Sequence, residues 1–324
     1  MMLGVGAGAT GTYLYLSKRA LVSDAISHAT LPGVVLGFMV MVALGGEGRF
    51  LPGLMLGAAL SAGLGLLAVT WLKTRTRLHE DAAIGAVLSV FFGFGVVLLT
   101  VVQVMDAGRQ AGLETFLLGA TAGMLRDEAV TIAAGGALVL ALVRLLHRPM
   151  ILVAFDPEYA VGQGMRLAHV DLAMMGLALA ITVTGLKVVG LVLIVALLII
   201  PPVAARFWSE RAGNVVVIAG IIGGLAGYLG AAVSATAPDL PTGPLIVLAA
   251  FALFVLSLFV APGRGVLAAS VRHMRFQRRW QILRSDPAFE AAAARYDGLT
   301  PLDEVLTGDQ IAALDRGLGP EGAV

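Results

Sequence analysis

The sequence predicts an all-α protein: a polytopic transmembrane helical bundle of about eight or nine spans with a short cytoplasmic C-terminal tail. Composition is the first observation, because 58% of the 324 residues are hydrophobic and only 13% are charged, whereas a soluble domain carries about a quarter charged residues. The mean hydropathy of +0.91 is the second. The third is the length of the apolar runs, most of which approach the roughly 20 residues that a membrane-spanning helix needs.

Nine apolar runs are predicted to be helices that span or enter the bilayer. They cover residues 3–17, 20–44, 51–72, 82–105, 129–146, 168–186, 188–206, 213–235 and 243–261. Between the fourth and fifth runs, residues 106–128 are expected to form a loop with a short interfacial or re-entrant helix. Glycines four residues apart, such as Gly53 and Gly57, predict that some helices approach each other closely. The chain is therefore divided into a transmembrane domain, 1–262, and an extension, 263–324.

The basic residues are distributed unequally between the two sets of connecting loops. One set carries Lys18, Arg19, Lys73, Arg75, Arg77, Arg144, Arg148, Arg166, Arg206 and Arg211. The other set carries Arg49, Arg109, Arg126 and Lys187. Because Lys and Arg are enriched in cytoplasmic loops, the first set and the tail that follows residue 262 are expected to be cytoplasmic.

The sequence argues against disulfides, thiolate metal sites, nucleic-acid binding and ATP binding through a phosphate loop. The sequence contains no cysteine, so disulfides and thiolate metal ligands are excluded. The net charge is +1 and the charges cluster at the ends of apolar runs, which gives no support for nucleic-acid binding. The phosphate-binding pattern G-x-x-x-x-G-K-[ST] is missing from the sequence, so ATP is not bound through that motif.

Two polar residues, Asp24 and His28, lie inside the second apolar run. Residues four apart share one helix face, with β-carbons about 5–6 Å apart. An ionised Asp at mid-bilayer costs about 2.5–3.5 kcal/mol on insertion scales, so such residues normally line a polar pathway. A carboxylate oxygen and an imidazole nitrogen on one face can both bind one cation. The alternative stays open that Asp24 and His28 hydrogen-bond each other and brace the first two helices.

Pro32 follows His28 by four residues and has no N–H to donate to the His28 carbonyl, so the helix is expected to kink there. The freed carbonyl adds an oxygen near the same place, where broken membrane helices commonly bind ions. One oxygen donor and one nitrogen donor suit Mn²⁺, Fe²⁺ or Zn²⁺. Two side-chain ligands are too few for such a site, so others must come from another helix or from a second subunit.

Five stretches in order resemble the membrane permease subunits of bacterial ABC importers for manganese, zinc and iron(II). They are RALVSDAISHATLPGVVLGF (19–38), LHEDAAIGAVLSVFFGFGVVLL (78–99), FDPEYAVGQGM (155–165), GLVLIVALLIIPPVAARF (190–207) and APDLPTGPLIVLAAFALFVLS (237–257). The resemblance covers about residues 1–262. It implies a non-enzymatic permease in the bacterial cytoplasmic (inner) membrane, with no permanently bound cofactor and with Mn²⁺, Zn²⁺ or Fe²⁺ as its cargo.

The resemblance also implies partners. These are an ABC ATPase that hydrolyses ATP, an extracytoplasmic protein that delivers the metal, and a second permease subunit, identical or paralogous. It places the family's aspartate–histidine pair of the metal pathway on Asp24 and His28. It places the coupling helix, which docks into the ATPase in similar permeases, at about residues 156–165.

The residues of this coupling segment support a helix independently of the resemblance. Asp156 suits an N-cap, Pro157 the first turn, and Glu158 the positive end of the helix dipole. Gly164 is expected to loosen the far end. A plain loop between two spans is the alternative.

Two further features have open roles. Asp239, in a turn with three prolines, either receives the ion from the binding protein or caps the last span. Pro201 and Pro202 are expected to break the seventh predicted span about one turn before its end, as a kink or gate. Two alternative functions are a proton-coupled secondary metal carrier, with Asp24 and His28 as a proton relay, and an ABC permease for a chelate such as haem or cobalamin.

Overall fold

The structure is a computed structural model of the chain. It describes residues 1–46, 48, 50–104, 126–236 and 240–262, with scattered positions between 265 and 277. Asp239, nearly all of the predicted loop 106–128 and most of the predicted extension 263–324 lie outside the described residues. The chain divides into two compact units, Met1–Ser257 and Leu258–Val324. The predicted domain boundary after residue 262 stays a prediction.

Ten helices make up the regular structure of the described residues, among which no strand occurs. They are α1 (Met2–Leu16), α2 (Ala20–Ala43), α3 (Leu51–Arg75), α4 (Glu80–Val104), α5 (Arg126–Phe155), α6 (Pro157–Gly162), α7 (Leu167–Val189), α8 (Leu191–Arg206), α9 (Ala212–Ser234) and α10 (Thr242–Val260). Nine of them correspond to the nine predicted runs, and α6 is the short helix between the fifth and sixth. The predicted helical bundle is confirmed.

Seven of the described helices are long and apolar enough to cross a membrane, namely α2, α3, α4, α5, α7, α9 and α10. The other two that match predicted runs, α1 and α8, have 15 and 16 residues. Large apolar side chains are exposed on the outer faces, for example Leu64, Leu145 and Val217 at 62%, 74% and 62%. A surface this apolar is stable in contact with lipid rather than water. The protein is therefore a multi-pass membrane protein.

Charged side chains stabilise the start of α4 and the end of α3. Glu80 and Asp81 occupy the first turn of α4, where negative side chains interact favourably with the helix dipole. Lys73 and Arg75 occupy the last turn of α3, where positive side chains do the same.

Glycines allow two pairs of helices to approach with their backbones nearly in contact. A methyl group added at Gly4 of α1 would overlap the carbonyl of Gly223 in α9. The same addition at Gly33 of α2 would overlap the carbonyl of Gly57 in α3. The expectation of close packing at four-residue glycine spacings is confirmed at Gly57.

Pro201 and Pro202 do not end α8, contrary to the sequence prediction, because the helix continues through both to Arg206. Both prolines are buried. The fixed φ of proline is itself helical, and neighbouring helices in membrane proteins compensate the backbone hydrogen bonds that it removes. The helix α2 likewise continues through Pro32 to Ala43.

Many of the basic residues assigned to one set of loops lie at one end of the bundle. Arg19 and Lys73 share the acidic partner Glu80. Near the end of α1, Tyr13 forms a hydrogen bond with His147. Arg148 is the next residue in the sequence. We call this end of the bundle, with Arg19, Lys73 and Arg148, the basic end.

Candidate functional site

The helix α2 places Asp24 and His28 on one face, one turn and two turns after its first residue. Asp24 Oδ1 lies 3.3 Å from His28 Nε2. Two donors that are each about 2.1 Å from one tetrahedral cation lie about 3.4 Å apart. The separation of the two donor atoms is therefore compatible with joint coordination of a single first-row metal ion. The same distance also fits a direct ion pair between the two residues.

His28 packs against α4 and not only against its own helix. Its ring meets the ring of Phe92 edge-on, with centroids 4.9 Å apart and planes at 82°. Its other nitrogen, Nδ1, is buried and has no hydrogen-bond partner among the described residues. The aromatic contact therefore joins His28 of α2 to α4.

The pair is partly accessible from outside the chain. The side chain of Asp24 is 37% exposed and that of His28 is 15% exposed. Within the described ranges, no group of three or more His, Asp or Glu residues is arranged to hold a metal ion. The pair thus offers two potential donor groups, half of a tetrahedral set, and is partly open to an additional ligand.

An ion-pair network at the basic end ties the start of α2 to three other helices. Arg19 Nη1 lies 2.9 Å from Asp171 Oδ2 of α7, and Arg19 Nε lies 3.5 Å from Glu80 Oε1 of α4. Lys73 of α3 pairs with the same Glu80. The sequence does not predict this network, because its members lie in four separate segments and their contacts depend on how the helices pack.

The short helix α6 has the local features expected from its sequence. Asp156 Oδ1 accepts a hydrogen bond of 2.9 Å from the backbone N–H of Tyr159, and Pro157 and Glu158 occupy the first turn. Gly164 has a φ of +81°, a conformation that favours glycine and turns the chain into α7.

The outer surface of α6 is open. The side chains of Tyr159 and Val161 are each 55% exposed. Exposed aromatic and aliphatic side chains on a short helix outside the membrane spans are suited to contact with another protein.

The chain is similar to known proteins along most of its length. Residues 1–261 match the sequence profile of the ABC 3 transport family. The manganese transport system membrane protein MntC of Bacillus subtilis (strain 168) is 39% identical over 279 residues, covering 86% of this chain and 63% of that protein. The zinc transport system membrane protein TroC of Treponema pallidum (strain Nichols) is 36% identical over 275 residues, covering 85% of this chain and 91% of that protein.

A solved structure shows the same fold. It is PsaBC from Streptococcus pneumoniae in complex with Fab, with a TM-score of 0.70 and 28% sequence identity over 83% of this chain and 91% of that chain. The five sequence blocks that resemble metal importer permeases fall almost entirely inside the matched residues. The chain belongs to the ABC 3 transport family.

Proposed function

We propose that this protein is the membrane permease of an ATP-driven importer for a divalent first-row metal ion, Mn²⁺, Zn²⁺ or Fe²⁺. The observation that carries the proposal is the Asp24–His28 donor pair, 3.3 Å apart on a helix long and apolar enough to cross the membrane. The relatives described as manganese and zinc transport system membrane proteins support it.

A second permease subunit completes the metal site. Each chain supplies one carboxylate and one imidazole, whereas first-row metals take about four protein ligands. Two copies of the pair, brought together across a central pathway, supply that number. The partial exposure of Asp24 and His28 leaves them available to such a partner. The second subunit is either identical or paralogous.

The basic end faces the cytoplasm under this proposal, because cytoplasmic loops are rich in Lys and Arg. The C-terminus is then cytoplasmic, and the helix α6 lies where it can dock into a separate ABC ATPase through its exposed Tyr159 and Val161. An extracytoplasmic binding protein delivers the metal at the opposite end, and Asp239 is the proposed first acceptor. Pro32, Pro201 and Pro202 are proposed as points of bending during the change of access.

Uptake experiments test the metal pair directly. The chain is expressed with its ATPase and binding protein, and uptake of Mn²⁺, Zn²⁺ and Fe²⁺ is measured for Asp24→Asn and His28→Gln. The matched controls are Asp127→Asn and His169→Gln, which make the same chemical changes at exposed positions. We expect the first two variants to lose uptake and the controls to retain it. Normal uptake by both Asp24→Asn and His28→Gln would exclude this metal site.

Further uptake measurements distinguish the two alternative functions from a metal importer. A proton-coupled carrier with an Asp24–His28 relay would transport metal in vesicles that lack the ATPase, and uptake would follow the proton gradient. A permease for haem or cobalamin would not need His28, so His28→Gln would leave chelate uptake intact. Metal uptake that requires ATP, Asp24 and His28 together supports the importer.

A further inference from the structure

An open groove lies between α1, α5 and α9, separate from Asp24 and His28. It encloses about 720 Å³, within the range of small-molecule binding sites, which is about 300–1,000 Å³. Its walls are almost entirely aliphatic, with Val5, Leu140, Val143, Val216 and Ile221 among the lining residues. A groove of this kind on a membrane-facing surface accepts a hydrocarbon chain.

The helix α9 forms one aliphatic wall of the groove. Val217 and Ile221 line it, are 62% and 55% exposed, and lie four residues apart on one helix face. Gly213 lines the groove nearer the start of α9. A methyl group added at Gly213 would lie 3.7 Å from His147 Nε2, which places the His147 ring at the basic end of the groove.

The chemistry of the groove changes at that end, where Arg144, His147 and Arg148 line it. Both arginines are exposed, and neither has a carboxylate within ion-pair distance in the part of the chain that the structure describes. The lining contains no acidic residue. Two unpaired guanidinium groups, each able to make paired hydrogen bonds, match a phosphate group.

Tyr13 orients the ring of His147, the third polar residue at the basic end of the groove. Its hydroxyl is 2.7 Å from His147 Nδ1, and the Tyr13 side chain is fully buried. When this hydroxyl donates to Nδ1, the neutral imidazole carries its hydrogen on Nε2. That N–H then points toward the start of α9, where it can donate a further hydrogen bond to an anion.

We propose that this groove binds one anionic phospholipid, with its phosphate at Arg144, His147 and Arg148 and an acyl chain along Val217 and Ile221. Charge complementarity selects an anionic headgroup, because basic pockets between membrane helices bind such headgroups. The aliphatic walls select a lipid over a free phosphate ion, which would gain nothing from them. The proposal does not depend on metal transport, since lipid binding is measured without metal.

The experiment measures lipid binding to the purified full-length chain in detergent micelles. Phosphatidylglycerol and phosphatidylcholine with the same acyl chains are titrated separately, and bound lipid is counted by native mass spectrometry. We expect one phosphatidylglycerol to bind more tightly than phosphatidylcholine. In Arg144→Gln/Arg148→Gln that preference should fall about 30-fold, roughly a factor of five for each arginine. Arg75→Gln/Arg77→Gln removes two basic residues away from the groove and should leave the preference unchanged.

A second variant tests the acyl-chain part of the groove. Val217 lines it and is 62% exposed, so Val217→Trp fills the groove without disturbing the buried core. Affinity for both lipids should fall about tenfold, equivalent to about two buried methylene groups. Equal lipid binding by Arg144→Gln/Arg148→Gln and its control, or unchanged binding by Val217→Trp, would overturn the proposal. Phosphatidylglycerol with a photoreactive acyl chain should cross-link to residues 216–225, and cross-links confined to other helices would also overturn it.

Discussion

Arg19 Nη1 lies 2.9 Å from Asp171 Oδ2, and this ion pair joins the N-cap of α2 to the second turn of α7. The helix α2 carries Asp24 and His28, the proposed metal pair, whereas α7 directly follows α6, the proposed docking helix. The salt bridge joins the two helices at the basic end, beside a buried cluster that includes Val22 and Met175. Under the proposed function, we expect a movement of α6 and α7 driven by the ATPase to reach α2 partly through this salt bridge.

The first prediction is that breaking this salt bridge uncouples transport from ATP hydrolysis. Asp171→Asn and Arg19→Gln should reduce metal uptake while the complex still hydrolyses ATP. The fold should survive, because partly exposed ion pairs contribute only about 0.2–1 kcal/mol. Uptake and ATPase rate are measured on the same reconstituted complex. A lack of any effect of the single changes would show that α7 moves α2 by another contact.

The second prediction concerns the choice of metal at the Asp24–His28 pair. Because thiolate ligands favour Zn²⁺ over Mn²⁺, His28→Cys should shift relative uptake toward Zn²⁺. Both ions are supplied together, and the ratio of their accumulation is compared with that of the unchanged protein. His169→Cys, at an exposed position of α7, is the control. An unaltered ratio in His28→Cys would indicate that His28 does not contact the ion.

The third prediction concerns the contact between α2 and α3. Gly57→Ala forces a methyl group onto the backbone of Gly33, and overpacking of this kind costs about 1–3 kcal/mol. Gly63→Ala, on the same helix, meets nothing within 4 Å and should be neutral or stabilising by up to about 1 kcal/mol. Thermal unfolding in detergent compares the two variants. Similar melting temperatures for both would mean that the helices separate at little cost.

Local patterns in the sequence predict some of these features and not others. The four-residue spacing of Asp24 and His28 fixes their common face, since helix geometry alone determines it. The cap of Asp156 is predictable for the same reason, because an N-cap depends on the next three residues. The Arg19–Asp171 contact is different. It depends on how two distant helices pack, and no local pattern links two residues so far apart in the sequence.

At Pro201 and Pro202, by contrast, the local sequence pattern predicted a break that the structure does not have. The loss of two N–H donors at Pro201 and Pro202 predicts a break in the helix, yet α8 continues to Arg206. Local reasoning counts the missing hydrogen bonds but not the neighbouring helices that enclose the buried prolines. In a membrane-embedded core this surrounding structure decides whether a helix continues.

The fourth prediction concerns the N-cap of α6. Asp156→Ala removes the side-chain oxygen that accepts the Tyr159 N–H, at a cost of about 0.5–2 kcal/mol. A helix of six residues has few other interactions to hold it, so α6 should fray and the ATPase should co-purify less efficiently with the permease. Asp156→Ser should retain docking, because serine also caps helices. Glu158→Gln, which keeps the cap, separates the capping effect from the loss of a negative charge. Equal loss of the ATPase from Asp156→Ser and Asp156→Ala would show that the ATPase recognises the carboxylate itself.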